Sequence, residues 1–157
     1  EQRVTSLGYI LMDEASGNFF GKQLIRSYYF KTMSKDLARE FEKEYDLSPD
    51  TIKENIYRKE NPNTYLATFS KFLIKHKQND VFQDIIAKGL ERFINHQILQ
   101  FENAKEVPIH FIGSIAFFLE EEINKALTLN GLTMGTIVKR PIEELVNYHK
   151  HLIELGQ

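Results

Sequence analysis

The chain predicts a helix-rich α/β fold with an incomplete sheet. First, an apolar β-type run, Val107-Pro-Ile-His-Phe-Ile112, stops at Gly113-Ser114, and a helix-period pattern begins at once. Second, about seven segments carry apolar residues at helical spacing, against two or three strand-like ones. Third, no repeat, linker or low-complexity stretch interrupts the 157 residues, which fit one unit with a core of ordinary size. So few strands among so many helices read as half of an α/β fold; a helical domain with a small ribbon is the alternative.

In chain order, residues 7–12 (Leu-Gly-Tyr-Ile-Leu-Met) read as a short strand or extended segment, and Asp13-Glu-Ala-Ser-Gly17 as a polar turn. Phe20, Leu24, Ile25 and Tyr28 then recur at helical spacing, predicting a helix from about Gly17 to Lys31. A second, amphipathic helix carries Leu37, Phe41 and Tyr45. Ser48-Pro49 and Asn61-Pro62 each place a capping side chain before a first-turn proline. The first opens a helix with Ile52 and Ile56; the second opens one with Tyr65, Leu66, Phe69, Phe72 and Leu73. Asp80 can cap a longer helix with Phe82, Ile85, Ile86, Phe93 and Ile94. If it reaches Phe101 it is about 30 Å long. Ile115, Leu119, Ile123 and Ala126 line a helix to Asn130, with Gly131 set to end it. Leu132 to Val138 reads as a strand with a glycine inside it. Pro141 starts a last helix bearing Leu145, Val146, Leu152 and Ile153, with Glu143 and Glu144 near its positive end.

Composition narrows the chemistry. A net charge of −2 leaves no basic excess for nucleic acid or an anionic membrane surface. The chain has no cysteine, which excludes disulfides, thiolate metal sites and iron–sulfur ligation and fits a reducing cytoplasm. No apolar stretch is long enough to cross a bilayer, and Glu1-Gln-Arg3 does not resemble a signal peptide. The missing initiating Met fits a piece of a longer protein.

Two turns could carry function. At Gly113-Ser114 a glycine and a helix N-terminus would bring aligned N–H donors close to a phosphate or nucleotide. By itself, such a corner is more often structural. The acids Asp13 and Glu14 lie between an apolar segment and a helix, where a carboxylate can accept from sugar hydroxyls or hold a hydrated metal. The competing reading, which the local pattern favours, is that Asp13 or Ser16 caps the following helix.

The histidines show no metal-ligand spacing, and His110 reads as a satisfied structural residue. Most of Phe19, Phe20, Tyr28, Tyr29 and Phe30 read as core, and Glu120-Glu-Glu122 as a solvated helix face. No Ser-His-Asp arrangement and no Walker-type phosphate loop is present.

Taken together, these segments resemble the C-terminal half of the BadF/BadG/BcrA/BcrD-type ATPase family, and within it the bacterial N-acetylglucosamine kinase-like proteins. Ser6-Leu-Gly-Tyr-Ile-Leu-Met-Asp-Glu-Ala-Ser-Gly17 resembles that group's S-L-G-Y-I-L-G-D-E-G-S-G, and Phe19-Phe-Gly-Lys-Gln-Leu24 its following helix. Asn61-Pro-Asn-Thr-Tyr-Leu-Ala-Thr-Phe-Ser-Lys-Phe72 is similar to its P-N-x-x-L-A-S-F-S segment. Val107-Pro-Ile-His-Phe-Ile-Gly-Ser-Ile-Ala-Phe117 is similar to its V-x-F-x-G-S-I-A turn.

The resemblance implies part of a two-lobed, ribonuclease-H-like ATPase related to actin, hexokinase and Hsp70. It implies Gly113 and Ser114 beside the nucleotide, Asp13 on the sugar, Gly8 shaping the sugar pocket and Glu14 behind it. It further implies ATP, Mg2+ and an N-acetylated amino sugar or related hexose. The missing N-terminal lobe would supply the catalytic residues, so the chain alone would be inactive; a homodimer is allowed. Met12 and Ala15 stand where the family has glycines, which puts sugar binding and any positive-φ turn in question. The competing functions are a helical interaction module, or a lobe that has lost sugar binding. A dehydratase-activating ATPase is disfavoured because it needs cysteines.

Overall fold

The structure is a computed structural model that describes residues 2–142, 145–146 and 148–150. It divides into two compact units, Glu1–Phe101 and Glu102–Gln157. Among the described residues there are eight α-helices and a two-stranded parallel sheet, so the helix-rich α/β expectation is borne out.

Among the described residues, the regular elements of the first unit are all helices. It contains α1 (Gly17–Tyr29), α2 (Lys35–Glu44), α3 (Pro49–Tyr57), α4 (Pro62–Thr68), α5 (Ser70–Lys75) and α6 (Asp80–Phe93). Side-chain caps start most of them: Ser34, Ser48 and Asn79 accept from the backbone N–H of Leu37, Thr51 and Val81. Asn79, one residue before the expected Asp80, is thus the cap of α6. Asn61 is no side-chain cap: it sits in the left-handed region (φ 58°), because the proline after it disfavours the helical one.

The core holds Phe20, Leu24, Phe41, Phe69, Phe72, Leu73, Phe82 and Ile86, all nearly inaccessible. Of the aromatic run on α1, Phe19 and Phe20 are buried, whereas Tyr29 and Phe30 are exposed and Tyr28 lies between. Three residues cannot all face inward over a single helical turn, which corrects the core assignment for the last two.

Three expected elements differ. Residues 7–12 are a turn: Leu11 and Met12 donate to the Gly8 carbonyl (3.3 and 2.9 Å) around a Gly8 φ of 85°. Leu7, Ile10 and Leu11 stay exposed there, so the alternation that suggests a strand has no partner strand in this unit. The helix after Asn61 breaks at Phe69, where the Ser70 hydroxyl donates to the Ala67 carbonyl (2.7 Å). The helix from Asp80 stops at Phe93 and widens into a π-helical turn over Ile94–Ile98. That wider turn keeps Ile94 and Ile98 buried in line with Leu90.

Helices α1 and α2 are tied by the Tyr28 hydroxyl, which donates to a Glu42 carboxylate oxygen at 2.6 Å. That bond, with burial second, pushes the Tyr28 phenol from 10.0 up to about 12. A raised tyrosine holds its proton more tightly in the folded state. The bond therefore contributes fully below pH 10.0 and is lost as pH rises toward about 12. Tyrosinate absorbance should show a component titrating near the upper end of that window, missing in Tyr28→Phe; identical curves for the two proteins would refute the linkage.

The second unit is a βαβ arrangement: β1 (Pro108–Ile112), α7 (Ser114–Phe118), α8 (Glu120–Leu129) and β2 (Thr133–Val138). The strands run parallel, with Ile109 beside Met134 and Phe111 beside Ile137, so β2 carries one extra residue. His110 explains that bulge. Its Nδ1 accepts the Thr136 N–H at 3.0 Å, and its ring occupies the space a side chain at Gly135 would need. His110 is thus a satisfied structural histidine with its proton on Nε2. Leu119, Ile123, Leu127 and Leu132 are buried along the crossover, and Gly131 (φ 67°) ends α8. The single helix expected over 115–130 is broken at Leu119 (φ −109°, ψ 25°). Of the last expected helix, Ile142, Leu145, Val146 and residues 148–150 are helical; Glu143, Glu144, Leu152 and Ile153 lie outside the described residues.

Candidate functional site

Asp13, Ser16 and Asn18 form one hydrogen-bonded chain at the start of α1. The Ser16 hydroxyl accepts the Phe19 N–H (3.0 Å) and donates to Asp13 Oδ2 (2.6 Å). Asn18 Nδ2 donates to the same Asp13 Oδ2 (2.9 Å) and to the Tyr9 carbonyl (3.3 Å). Ser16, then, is the cap, and Asp13 braces it from behind. Both bonds use one carboxylate oxygen. Asp13 Oδ1 has no protein partner among the described residues, and neither has the Glu14 carboxylate. Both acids are half-buried. An acceptor held on one side and open on the other suits a hydroxyl donor such as a sugar's.

Gly8 and Ala15 shape this loop through the backbone. Gly8 has open space where a Cβ would stand, so its φ of 85° rather than crowding is what calls for glycine. Ala15 adopts φ 58° and keeps the left-handed turn in spite of its side chain, whereas Met12 has no positive φ. The Ala15 substitution therefore stores strain of roughly 1–2 kcal/mol without abolishing the turn. Ala15→Gly should stabilise the chain by about 0.5–1 kcal/mol, once the greater freedom of the unfolded glycine is deducted. Chemical denaturation would test this; a destabilised variant would show that the alanine is unstrained.

The second turn is differently built than its sequence suggests. Gly113 (φ 128°, ψ 162°) occupies a region open almost only to glycine, with nothing within 4 Å of a built Cβ. Its N–H is already committed to the Val138 carbonyl at 2.9 Å, which pins the turn to the end of β2. Among the described residues, the open donors are therefore the N–H groups of Ser114, Ile115 and Ala116, before Phe117 closes the first turn onto the Gly113 carbonyl at 3.1 Å. Helix α7 has only 5 residues, so little macrodipole stands behind these donors. Close by in sequence, Phe117 and Phe118 stack edge to face, and Lys139 Nζ lies 4.6 Å from each ring centroid.

Reasoning from sequence did not single out Asn18. Its signal was a polar side chain on the first turn of a helix whose other early positions are apolar or glycine. No group of three or more His, Asp or Glu residues able to hold a metal ion is found among the described residues. Nor is any helix there long and apolar enough to cross a membrane.

No family model matches the chain, and no curated protein matches it. Among solved structures it is similar to a crystal structure from Porphyromonas gingivalis described as a "Putative N-acetylglucosamine Kinase". The two share 36% identity over 93% of this chain, with a TM-score of 0.86. The chain spans 51% of that structure's length, about half. The resemblance read from the residues is thereby borne out, and the fold is similar to a kinase-like fold.

Proposed function

We propose that the chain is the C-terminal lobe of an ATP-dependent amino-sugar kinase, binding an N-acetylated hexosamine at the loop from Gly8 to Asp13 and the nucleotide beside Gly113 and Ser114. The observation that carries this is the likeness to the Porphyromonas gingivalis structure, at 36% identity over 93% of the chain. In this reading Asp13 Oδ1 accepts a sugar hydroxyl, and Glu14 supports it. Gly8 turns the backbone so that the loop wraps back toward α1. The N–H groups of Ser114, Ile115 and Ala116 face a phosphate oxygen or the ribose, with Gly113 keeping that approach free of a side chain.

Bound ATP supplies the phosphoryl group. The residues described offer no cradle for Mg2+, so the phosphates and the half of the relative's length that this chain does not span would hold the metal. Phosphoryl transfer depends on positioning and charge stabilisation across a closed cleft. The general base belongs to the other half, and this polypeptide alone turns nothing over.

The test is ADP release by the full-length protein with N-acetylglucosamine. Sugar-dependent turnover is expected, and Asp13→Ala should raise the sugar KM ten- to a hundredfold, the loss of a hydrogen bond to a charged acceptor. Absence of any sugar-dependent turnover would overturn the kinase reading in favour of a helical interaction module.

A further inference from the structure

We infer that Asn18 is a positioning residue for sugar binding: its amide locks one oxygen of Asp13 and the Tyr9 carbonyl together, so that Asp13 offers its other oxygen in a fixed direction. The inference rests on the reading of Asp13 as a sugar ligand.

A carboxylate on a loop can rotate about its last torsion and present either oxygen. Here two donors, Ser16 Oγ at 2.6 Å and Asn18 Nδ2 at 2.9 Å, converge on Oδ2 and stop that rotation. The Ser16 bond is accounted for by capping, since its hydroxyl also accepts the Phe19 N–H. The Asn18 bond has no such role: a residue in the first turn of α1 needs no amide side chain for the helix to form. Asn18 is also only 6% exposed, and its Oδ1 has no hydrogen-bond partner among the described residues. Burying an amide with half its capacity unmet costs free energy that a small apolar residue would avoid. Retaining it makes sense where its donors are needed, and both go to the loop that carries Asp13. The second donor bond, to Tyr9 at 3.3 Å, ties the turn after Gly8 to the same amide. One side chain thus sets the loop against α1 and the carboxylate within the loop.

The experiment is a double-mutant cycle in the full-length protein, reading the KM for N-acetylglucosamine, the KM for ATP and kcat. Asn18→Ala should raise the sugar KM about five- to tenfold, with kcat and the ATP KM nearly unchanged. In an Asp13→Ala background the same substitution should change the sugar KM by less than about twofold, because nothing remains to be positioned. Effects that multiply in the double variant, or an unchanged sugar KM in Asn18→Ala alongside a raised one in Asp13→Ala, would assign Asn18 a purely structural part. If Asp13→Ala leaves the sugar KM unchanged, the ligand reading of Asp13 and the positioning role fall together, while sugar-dependent turnover of the parent still stands apart as the test of the kinase reading. Should Asn18→Ala fold poorly, Asn18→Leu fills the same buried volume without the donors and must give the same cycle.

Discussion

Gly21→Ala is expected to destabilise the helical unit by about 3 kcal/mol or more, or to prevent it from folding. Gly21 lies mid-helix on α1, against the backbone of α4. A Cβ there would sit 1.7 Å from the Leu66 carbonyl oxygen and 2.6 Å from its carbon. Van der Waals contact needs roughly 3.5 Å, so α1 would have to retreat by nearly 2 Å. The obstacle is main chain, which cannot rotate aside as a side chain can. Overpacking a core commonly costs 1–3 kcal/mol where side chains yield, so a backbone clash belongs at or above the top of that range. Alanine's better helix propensity returns about 1 kcal/mol, which does not offset it. Gly17→Ala is the internal control. Its Cβ would meet Ala67 Cβ at 3.2 Å and Ser70 Oγ at 3.5 Å, tight but tolerable. Denaturant unfolding of both variants decides: equal stabilities would show that α1 and α4 are not so closely packed. Because α1 also carries Ser16 and Asn18, a folded Gly21→Ala variant should lose sugar affinity as well.

The closeness of α1 and α4 shows how legibility divides in this chain. Helix existence was plain from the spacing of Phe20, Leu24 and Ile25, and the starts at Ser48-Pro49 and the stop at Gly131 followed from local chemistry. Those features are decided within one turn of chain. The breaks at Phe69 and Leu119 were not legible, because apolar periodicity runs through both without a proline or glycine. The same holds for residues 7–12, where an apolar run met no strand to pair with, so tertiary context overrode pattern.

At the candidate site the sequence drew attention to Asp13 and to the Gly113 turn. It could not distribute hydrogen bonds: that Asp13 spends one oxygen on Ser16 and Asn18, or that the Gly113 N–H is taken by Val138, depends on residues brought together by folding. Gly17 and Gly21 stand one turn apart on α1. Only the position of Leu66 gives that spacing its meaning.

Phe41→Ala should cost about 3–5 kcal/mol, the range for removing a fully buried phenylalanine. Phe41 projects from α2 and is 0% exposed. Its ring centroid lies 4.7 Å from Phe72, 5.2 Å from Tyr45, 5.7 Å from Phe69 and 6.0 Å from Tyr28. These neighbours come from α1, α5, the break at Phe69 and the end of α2 itself at Tyr45, so no single helix can shift to fill the void. Two of the pairs, those with Tyr28 and Phe69, meet edge to face, adding attraction that an aliphatic replacement would not recover. Alanine would leave a cavity bordered by aromatic rings held on separate elements, the situation in which relaxation is least and the cavity cost greatest. Phe30→Ala provides the contrast. That ring is 65% exposed with Arg26 over it at 5.0 Å, so its removal should cost under about 1 kcal/mol. In thermal unfolding the first variant should lose on the order of 10 °C and the second a few degrees at most. If Phe41→Ala proves no more damaging than Phe30→Ala, the aromatic cluster does not hold α2 to the rest of the helical unit. The brace that α2 gives α1 through Tyr28 and Glu42 would then have to be ascribed to their hydrogen bond alone.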